Sequence, residues 1–368
     1  MLTLKTLRHY AIARSLFAPT TLQSAIDRLG FVQADPIRAP ARAQDLILRQ
    51  RVRGYCAGDL EQHYPKLAVE EDYFVNYGFL APTHLQLMHP RVPRHPTTAA
   101  TRRKMQELLR FAAERGEVHP RAANAHFQHG RVSNYWGGAS SATTLLLDRM
   151  HYQGLLRVAR RDEGIRIYAP RPQSAALAEA PERQAEALLR LAVRLYAPLP
   201  AASLGYLTSM LAHAAPQLYR HVRGVQRAAE KALAHGRVAG TTWYWPADEV
   251  PHEYSLDQRA RVRLLAPFDP VVWDRRRFEQ FWGWAYRFEA YTPKPKRKLG
   301  YYALPLLWHE RVIGWGNLSV KADRLVAGIG YRTHAPRGAL FQRELAAEIA
   351  RTAKFLGIAP SRVELLST

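Results

Sequence analysis

The chain has 368 residues, 47% hydrophobic and 23% charged, a composition that suits a soluble globular protein of about two to four compact units. A single cysteine, Cys56, excludes an intramolecular disulfide and a Cys-rich zinc or iron–sulfur site, and no apolar run reaches the roughly 18 residues that a membrane-spanning helix needs. Lys and Arg number 53 against 31 Asp and Glu, a formal net charge of +22 that points to a polyanionic partner, because basic groups that neutralise phosphates release condensed counterions. A basic, solvated surface without a partner is the plainer alternative. Arginine outnumbers lysine, and its planar fork suits phosphate and groove contacts. The N-terminus reads as an amphipathic helix without a signal-peptide cleavage pattern, so a cytoplasmic location is expected.

The first helix is predicted from about Thr3 to Phe17. Pro19 and Thr20 break it, Thr20 or Thr21 can cap a second helix, and Gly30 ends that one after Leu29. Phe31-Val32-Gln33-Ala34-Asp35 then reads as a short strand stopped by Pro36. Strand side chains alternate, so Gln33 and Asp35 are expected on one face and Val32 and Ala34 on the other. Pro36 disfavours helix at Asp35. On spacing alone, Asp before Pro is ordinary turn chemistry. After Pro40 a helical segment from Ala41 to Arg51 carries Arg42, Arg49 and Arg51.

Further on, Thr101 to Arg115 is helical, and a second helical stretch near Ser140 to Met150 opens on two good N-cap residues, Ser140 and Ser141. Leu155–Val158 and Ile165–Tyr168, joined through Arg160-Arg161-Asp162-Glu163-Gly164, read as a hairpin. Helix, helix, hairpin is the outline of a winged helix. After a Pro/Ala linker, Arg171 to Pro181, a similar unit follows. It has a helix from Pro181 to Tyr196, a break at Pro198 and Pro200, a helix capped by Ser203 through Leu211, a helix from Val222 to Ala234 and a strand from Val238 to Trp245. In the last third, Arg261–Leu265, Tyr301–Trp308, Arg311–Leu318 and Leu325–Ile329 look like the strands of a small barrel or sandwich, and a helix from Ala339 to Leu356 closes the chain. The expected architecture is α+β. Winged-helix units occupy 1–100, 101–172 and 181–260, and a C-terminal β-barrel with its closing helix occupies 261–368.

The run Leu29-Gly30-Phe31-Val32-Gln33-Ala34-Asp35-Pro36-Ile37, with Ala41-Arg42-Ala43-Gln44 after it, resembles the YcaQ/AlkX branch of the AlkZ-like DNA glycosylases. Members of that branch carry Gln–apolar–Asp at this place, whereas the AlkZ branch has a second Gln where this chain has Asp35. A second block of likeness runs from Leu265-Ala266-Pro267-Phe268-Asp269-Pro270 through Trp273-Asp274-Arg275-Arg276-Arg277. It continues in Tyr286-Arg287-Phe288-Glu289, Tyr291-Thr292-Pro293 and Gly300-Tyr301-Tyr302. The resemblance spans nearly the whole chain, the middle by architecture more than by motif. Ala34 departs from it by being smaller than the usual aliphatic residue. What it implies is a set of tandem winged helices and a β-barrel around a basic concave channel, acting in base excision repair. It further implies hydrolysis of the N-glycosidic bond of alkylated purines, crosslink unhooking in some members, and catalytic roles for Asp35 and Gln33.

That chemistry is coherent with the residue types. An N7-alkylated guanine is already cationic and leaves readily, so one carboxylate can stabilise an oxocarbenium-like sugar and accept a proton from water. Asp35 takes that role, and Gln33 orients the water or sugar without adding charge. Sugar hydrolases usually need two carboxylates because their leaving alkoxide must be protonated. No lysine lies near the motif, so a Schiff-base lyase step is not expected, and no cofactor is. The partner is double-stranded DNA containing alkylated bases, with no membrane and no obligate protein partner.

Candidate DNA contacts are Lys294, Lys296, Arg297 and Lys298 in a proline-containing loop, Arg38 and Arg42 beside the motif, and Arg160 and Arg161 in the hairpin. Arg275-Arg276-Arg277 reads equally as the start of a helix after Asp274. His126 and His129 stand three apart, a spacing that can hold a metal on a helix, but no Cys, carboxylate or HExxH completes a site. The eight tryptophans are expected in packing. Gly137-Gly138-Ala139-Ser140 lacks a P-loop lysine. Two rivals stay open. A non-enzymatic winged-helix DNA-binding regulator needs basic wings but no carboxylate in its DNA channel, and a metal-dependent nuclease needs clustered acids that the sequence does not offer.

Overall fold

Local caps form where local chemistry dictates them. The Thr3 hydroxyl accepts from Thr6 N at 3.1 Å to open the helix Leu4–Ser15, and the Thr21 hydroxyl accepts from Ser24 N at 3.3 Å to open Leu22–Leu29. Each satisfies an N–H that no helical carbonyl can reach. Gly30 ends the second helix at φ 75°, a conformation that favours glycine, and a Cβ there would also have to displace the end of the Leu191 side chain, 2.7 Å away at Cδ1. The computed structural model describes residues 1–93, 96–133, 138–172, 180–256 and 261–366, with the backbone alone at 223. The predicted linker from Arg171 to Pro181 falls largely outside them. Among the described residues no helix is long and apolar enough to cross a membrane.

The chain divides into two compact units. The first comprises Met1–Leu60, Arg190–Leu207 and Ala228–Thr368. It contains the strand Phe31–Gln33 and the helix Ala43–Leu48, every residue of which is buried. The region predicted as one strand from Val238 to Trp245 is a hairpin: Ala234–Val238 pairs with Thr241–Trp245, turning through Ala239 (φ 50°) and Gly240 (φ 77°). Two residues at positive φ suit a tight hairpin turn. Ser203, expected as an N-cap, lies inside the helix Ala201–Ala214.

The C-terminal strands form one five-stranded sheet in the order Val262–Leu264, Leu304–Trp308, Arg311–Lys321, Arg324–Tyr331, Val363–Leu366. Neighbours are antiparallel except the last pair, which is parallel. The expected barrel is not found among the described residues. The sheet is open, and its two outer strands each pair on one side only. A helix supplies the second layer that closure would otherwise provide. Ala339–Phe355 packs on Val262–Leu264, and its Phe341 ring meets Trp308 at 5.4 Å and Tyr331 at 6.2 Å.

Buried ion pairs join the N-terminal segment to this C-terminal half within the same unit. Arg51 and Asp269, both fully buried, pair through Nη1–Oδ2 at 2.8 Å and Nη2–Oδ1 at 3.0 Å. Glu348, 1% exposed, receives Arg49, Arg351 Nε at 3.1 Å and Leu264 N at 3.0 Å.

The second unit comprises Glu61–Leu189 and Thr208–Arg227. Its first strands form a hairpin absent from the sequence reading, Glu70–Tyr73 with Tyr77–Leu80. Helices Ala99–Arg115, Pro120–Phe127 and Ala142–Gln153 follow, then the hairpin Leu156–Asp162 with Ile165–Pro170. The middle helix is an addition to the sequence reading, although Pro120 at its first turn and His119 as its cap are its sequence marks. Ser141 caps the third as expected. Arg160 and Arg161 belong to a strand rather than a loop, since the turn is confined to Glu163 (φ 49°) and Gly164 (φ 87°).

Candidate active site

The strand Phe31–Gln33 ends at Gln33, so the alternation that would put Gln33 and Asp35 on one face does not extend to Asp35. Asp35 is instead placed by two hydrogen bonds. Its backbone N–H donates to Gln44 Oε1 at 3.3 Å, and its Oδ1 accepts from Ile37 N at 2.9 Å. The second bond spans Pro36 and makes an Asx-type turn. The turn expected at Asp35 is found, and it uses one carboxylate oxygen to fix the backbone while Oδ2 has no hydrogen bond among the described residues.

Both motif residues are buried, Gln33 at 3% and Asp35 at 8% exposure. Burial pushes the Asp35 carboxyl above its ordinary range, and the Ile37 N–H pulls less strongly the other way. Its surroundings hold polar atoms without partners. Gln33 Oε1 and the Tyr302 hydroxyl are both buried and have no hydrogen-bond partner among the described residues. Burial and then the charge of Asp35 raise Tyr302 and Tyr291 above the usual tyrosine value, which places both phenols within electrostatic range of the carboxylate. Tyr302 is 2% exposed and Tyr291 69% exposed.

The basic loop beside these tyrosines is held from within. The Glu289 carboxylate accepts from Lys298 N at 2.9 Å and Leu299 N at 2.7 Å, and Asn317 Nδ2 donates to Leu299 O at 2.7 Å. Gly300 sits at φ 118°, and a Cβ there would meet Asn317 Oδ1 at 2.3 Å. Lys294, Lys296 and Lys298 project as exposed cations. Arg297 turns inward, donating to Thr292 O at 2.8 Å with its guanidinium 4.9 Å from the centre of the Tyr301 ring.

The other expected contacts separate by burial. Arg38 is exposed, and Arg42 is half-buried and engaged with other groups. Arg160 is exposed and paired with Glu117 at 2.8 Å. Arg161 is locked in the protein by Glu71, with Nε–Oε1 at 2.7 Å and Nη2–Oε2 at 2.5 Å, because the Glu71 carboxylate is 1% exposed and needs a cation. Its expected place on DNA is not what the geometry offers. Arg275 and Arg277 donate to backbone carbonyls, among them Val272 O at 2.7 Å and Val271 O at 3.2 Å, at a helix start capped by Asp274. These internal clamps show why a count of arginines overstates the surface available to phosphate.

His126 and His129 do not share a helix face. The helix stops at Phe127, His126 packs 4.7 Å from Phe111, and His129 Nδ1 lies 3.2 Å from the Thr143 hydroxyl. Among the described residues no group of three or more His, Cys, Asp or Glu side chains could hold a metal. Trp243 is fully buried and stacks on Phe281, and Trp273 stacks on Tyr196. Trp136 and Gly137 lie outside the described residues. Sequence reasoning does not single out Gln44, Tyr302 or the Arg51–Asp269 pair. Three of those four side chains lie within the quoted blocks of resemblance, which is the available signal.

Residues 26–355 match the DNA glycosylase AlkZ-like family. The fold is similar to that of the Streptomyces sahachiroi DNA glycosylase AlkZ, with a TM-score of 0.64 over 99% of this chain and 100% of that one, at 12% sequence identity. At that identity the structural likeness speaks for fold, and the family match carries the assignment. The chain belongs to the AlkZ-like DNA glycosylase family.

Proposed function

We propose that this protein hydrolyses the N-glycosidic bond of N7-alkylated purines in duplex DNA, with Asp35 as the charge-stabilising base and Gln33 as its orienting partner. The observation that carries the reading is the Asp35 carboxylate. It is buried, has no ion pair among the described residues, and stands two residues from the unpartnered Oε1 of Gln33. The Oδ2 of this largely buried carboxylate keeps access to solvent and has no hydrogen bond among the described residues, so a ligand can reach it in place of water. A cationic nucleotide does so: its positive charge meets Asp35, and the C1′–N9 bond breaks with the electron pair leaving on the base, which becomes neutral. Water adds to C1′, and its proton passes to Asp35 Oδ2. Aspartate rather than glutamine at position 35 favours the YcaQ/AlkX branch.

The helices and hairpins of the second unit are read as winged-helix elements, with Lys294, Lys296, Lys298, Arg38 and Arg160 as backbone contacts. Crosslinked duplex is included in the substrate range. No lysine occurs from 31 to 51, so the reaction is read as monofunctional hydrolysis without a lyase step.

The test is release of 7-methylguanine from duplex DNA, and unhooking of a mustard-crosslinked duplex, with EDTA present. Asp35→Asn is expected to lower the single-turnover rate by about 10³-fold while DNA binding persists. A fully active Asp35→Asn protein would remove Asp35 from the chemistry. Loss of activity in EDTA would point to a metal reaction, and binding without base release to a regulator.

A further inference from the structure

We propose that the segment from Tyr291 to Tyr301 is a base-stacking site for unpaired DNA, its two exposed tyrosine rings receiving nucleobases while Lys294, Lys296 and Lys298 hold phosphates. This rests on the reading of those lysines as DNA contacts and does not depend on the chemistry at Asp35. Tyr291 is 69% exposed, more than any other tyrosine, tryptophan or phenylalanine among the described residues, and Tyr301 is 44% exposed. Tyr73, Tyr206 and Tyr219 are exposed as well, but Tyr291 and Tyr301 bound one short segment that also carries three exposed lysines. From 286 to 302 the chain has five cations, Arg287, Lys294, Lys296, Arg297 and Lys298, against one carboxylate, Glu289. That carboxylate is taken up by the Lys298 and Leu299 N–H groups.

The segment is held from within. Thr292 N donates to Glu289 O at 2.9 Å and Lys296 N to Pro293 O at 2.8 Å. Arg297 donates to Thr292 O at 2.8 Å and lies 4.9 Å from the centre of the Tyr301 ring, so a cation backs one face of that ring. Phe288 meets the Tyr291 ring at 5.9 Å and 75°, and is itself braced by Phe268 at 5.2 Å and Tyr302 at 5.1 Å. A cation over a ring, or a neighbour at a steep angle to it, covers at most one of its two faces. What remains is exposed aromatic surface, positioned before any ligand arrives.

Aromatic rings set among cations fit a single nucleic-acid strand, whose bases offer π-faces and whose phosphates offer charge. A fully paired duplex fits them less well, since each internal base is covered on both faces by its neighbours. A tyrosine can stack only where a base has been displaced, as when a nucleotide is extruded or a strand is opened. The ligand is therefore an unpaired stretch of DNA, held by its ring faces and backbone without regard to sequence. The tyrosine hydroxyls take no part in such a contact.

The test uses the full chain and three probes of equal length: a single-stranded oligonucleotide, the same strand fully paired, and an abasic strand that keeps the phosphates without bases. Combining Tyr291→Ala with Tyr301→Ala is expected to weaken binding of the single strand at least about fivefold, from the loss of one or two stacked bases. Affinity for the paired and abasic probes, and the slope of log binding against log salt, should hold, because the lysines remain. Combining Tyr291→Phe with Tyr301→Phe should leave single-strand binding as in wild type. Unchanged single-strand binding in the alanine variant overturns the proposal, as does an equal loss on the abasic strand or a wild type that binds the abasic strand as tightly as the normal one. Should the alanine variant fail to fold, photocrosslinking of the wild-type complex decides. A strand carrying 5-iodouracil is expected to crosslink at Tyr291 or Tyr301, and absence of crosslinks at both overturns the proposal. A wild type that releases no base yet shows the tyrosine-dependent preference sinks the glycosylase reading alone. An active enzyme whose alanine variant binds single strand normally sinks this proposal alone.

Discussion

Asp35 and Glu348 are carboxylates buried in the same unit, and burial drives both toward the neutral form. At Glu348 that push is overcome by Arg49, Arg351 and the Leu264 N–H, and the group ends below its ordinary value. At Asp35 only the Ile37 N–H opposes burial, and the group ends above it. One region of the molecule thus completes its carboxylate with its own cations, while the other leaves an oxygen, an amide and a phenol for something else. On the proposed reading, the difference separates a group that holds the fold from a group that meets a cation in the substrate.

The sharpest way to break that comparison is stability. Glu348→Gln should destabilise the protein by about 3–5 kcal/mol in urea unfolding, because it strips the buried Arg49 of its charge partner. Asp35→Asn should leave the midpoint unchanged or raise it. Equal losses in the two variants would erase the distinction.

Acid should then move the two groups in opposite senses. A raised pKa, as at Asp35, favours the folded state below the unfolded value, and that contribution disappears as pH rises through the folded value. A depressed pKa, as at Glu348, contributes above the unfolded value and is lost as pH falls through the folded one. The stability gap between wild type and Glu348→Gln should therefore narrow on acidification. Base release should rise with pH along a limb lying above the usual aspartate value of about 3.9. A limb at or below that value would mean Asp35 is not the titrating base.

The smallest effect concerns the cationic loop. Replacing Lys294, Lys296 and Lys298 by Ala should reduce the slope of log binding against log salt by up to about 2.7, from roughly 0.9 for each phosphate no longer neutralised. Adding Arg297→Ala should change the slope no further, since that side chain is bound to Thr292. An unchanged slope in the triple variant would take the loop out of the DNA interface.

Features governed by neighbours in the chain are legible in the sequence. Thr3, Thr21 and Ser141 cap helices, and Gly30 ends one, through interactions within a few residues. The helix Pro120–Phe127 carries equally local marks, in Pro120 and His119. Barrel closure is not legible, because strand periodicity says nothing about whether the outer strands meet or a helix covers the sheet. The place of Arg161 is hidden for the same reason, its partner Glu71 lying 90 residues away.

By itself the sequence determined the helix ends at Thr21, Gly30 and Ser141, that a polyanion is the expected partner, and, through two blocks of resemblance, which short segment to examine. Only the tertiary structure decided which charges are used up. Glu348 meets Arg49 across 299 residues, Asp269 meets Arg51 across 218, and Tyr302 comes within range of Asp35 from the far end of the chain. Carboxylates of one chemistry are held charged or pushed toward the neutral form according to what the fold brings against them, because desolvation and pairing act through space and not along the chain.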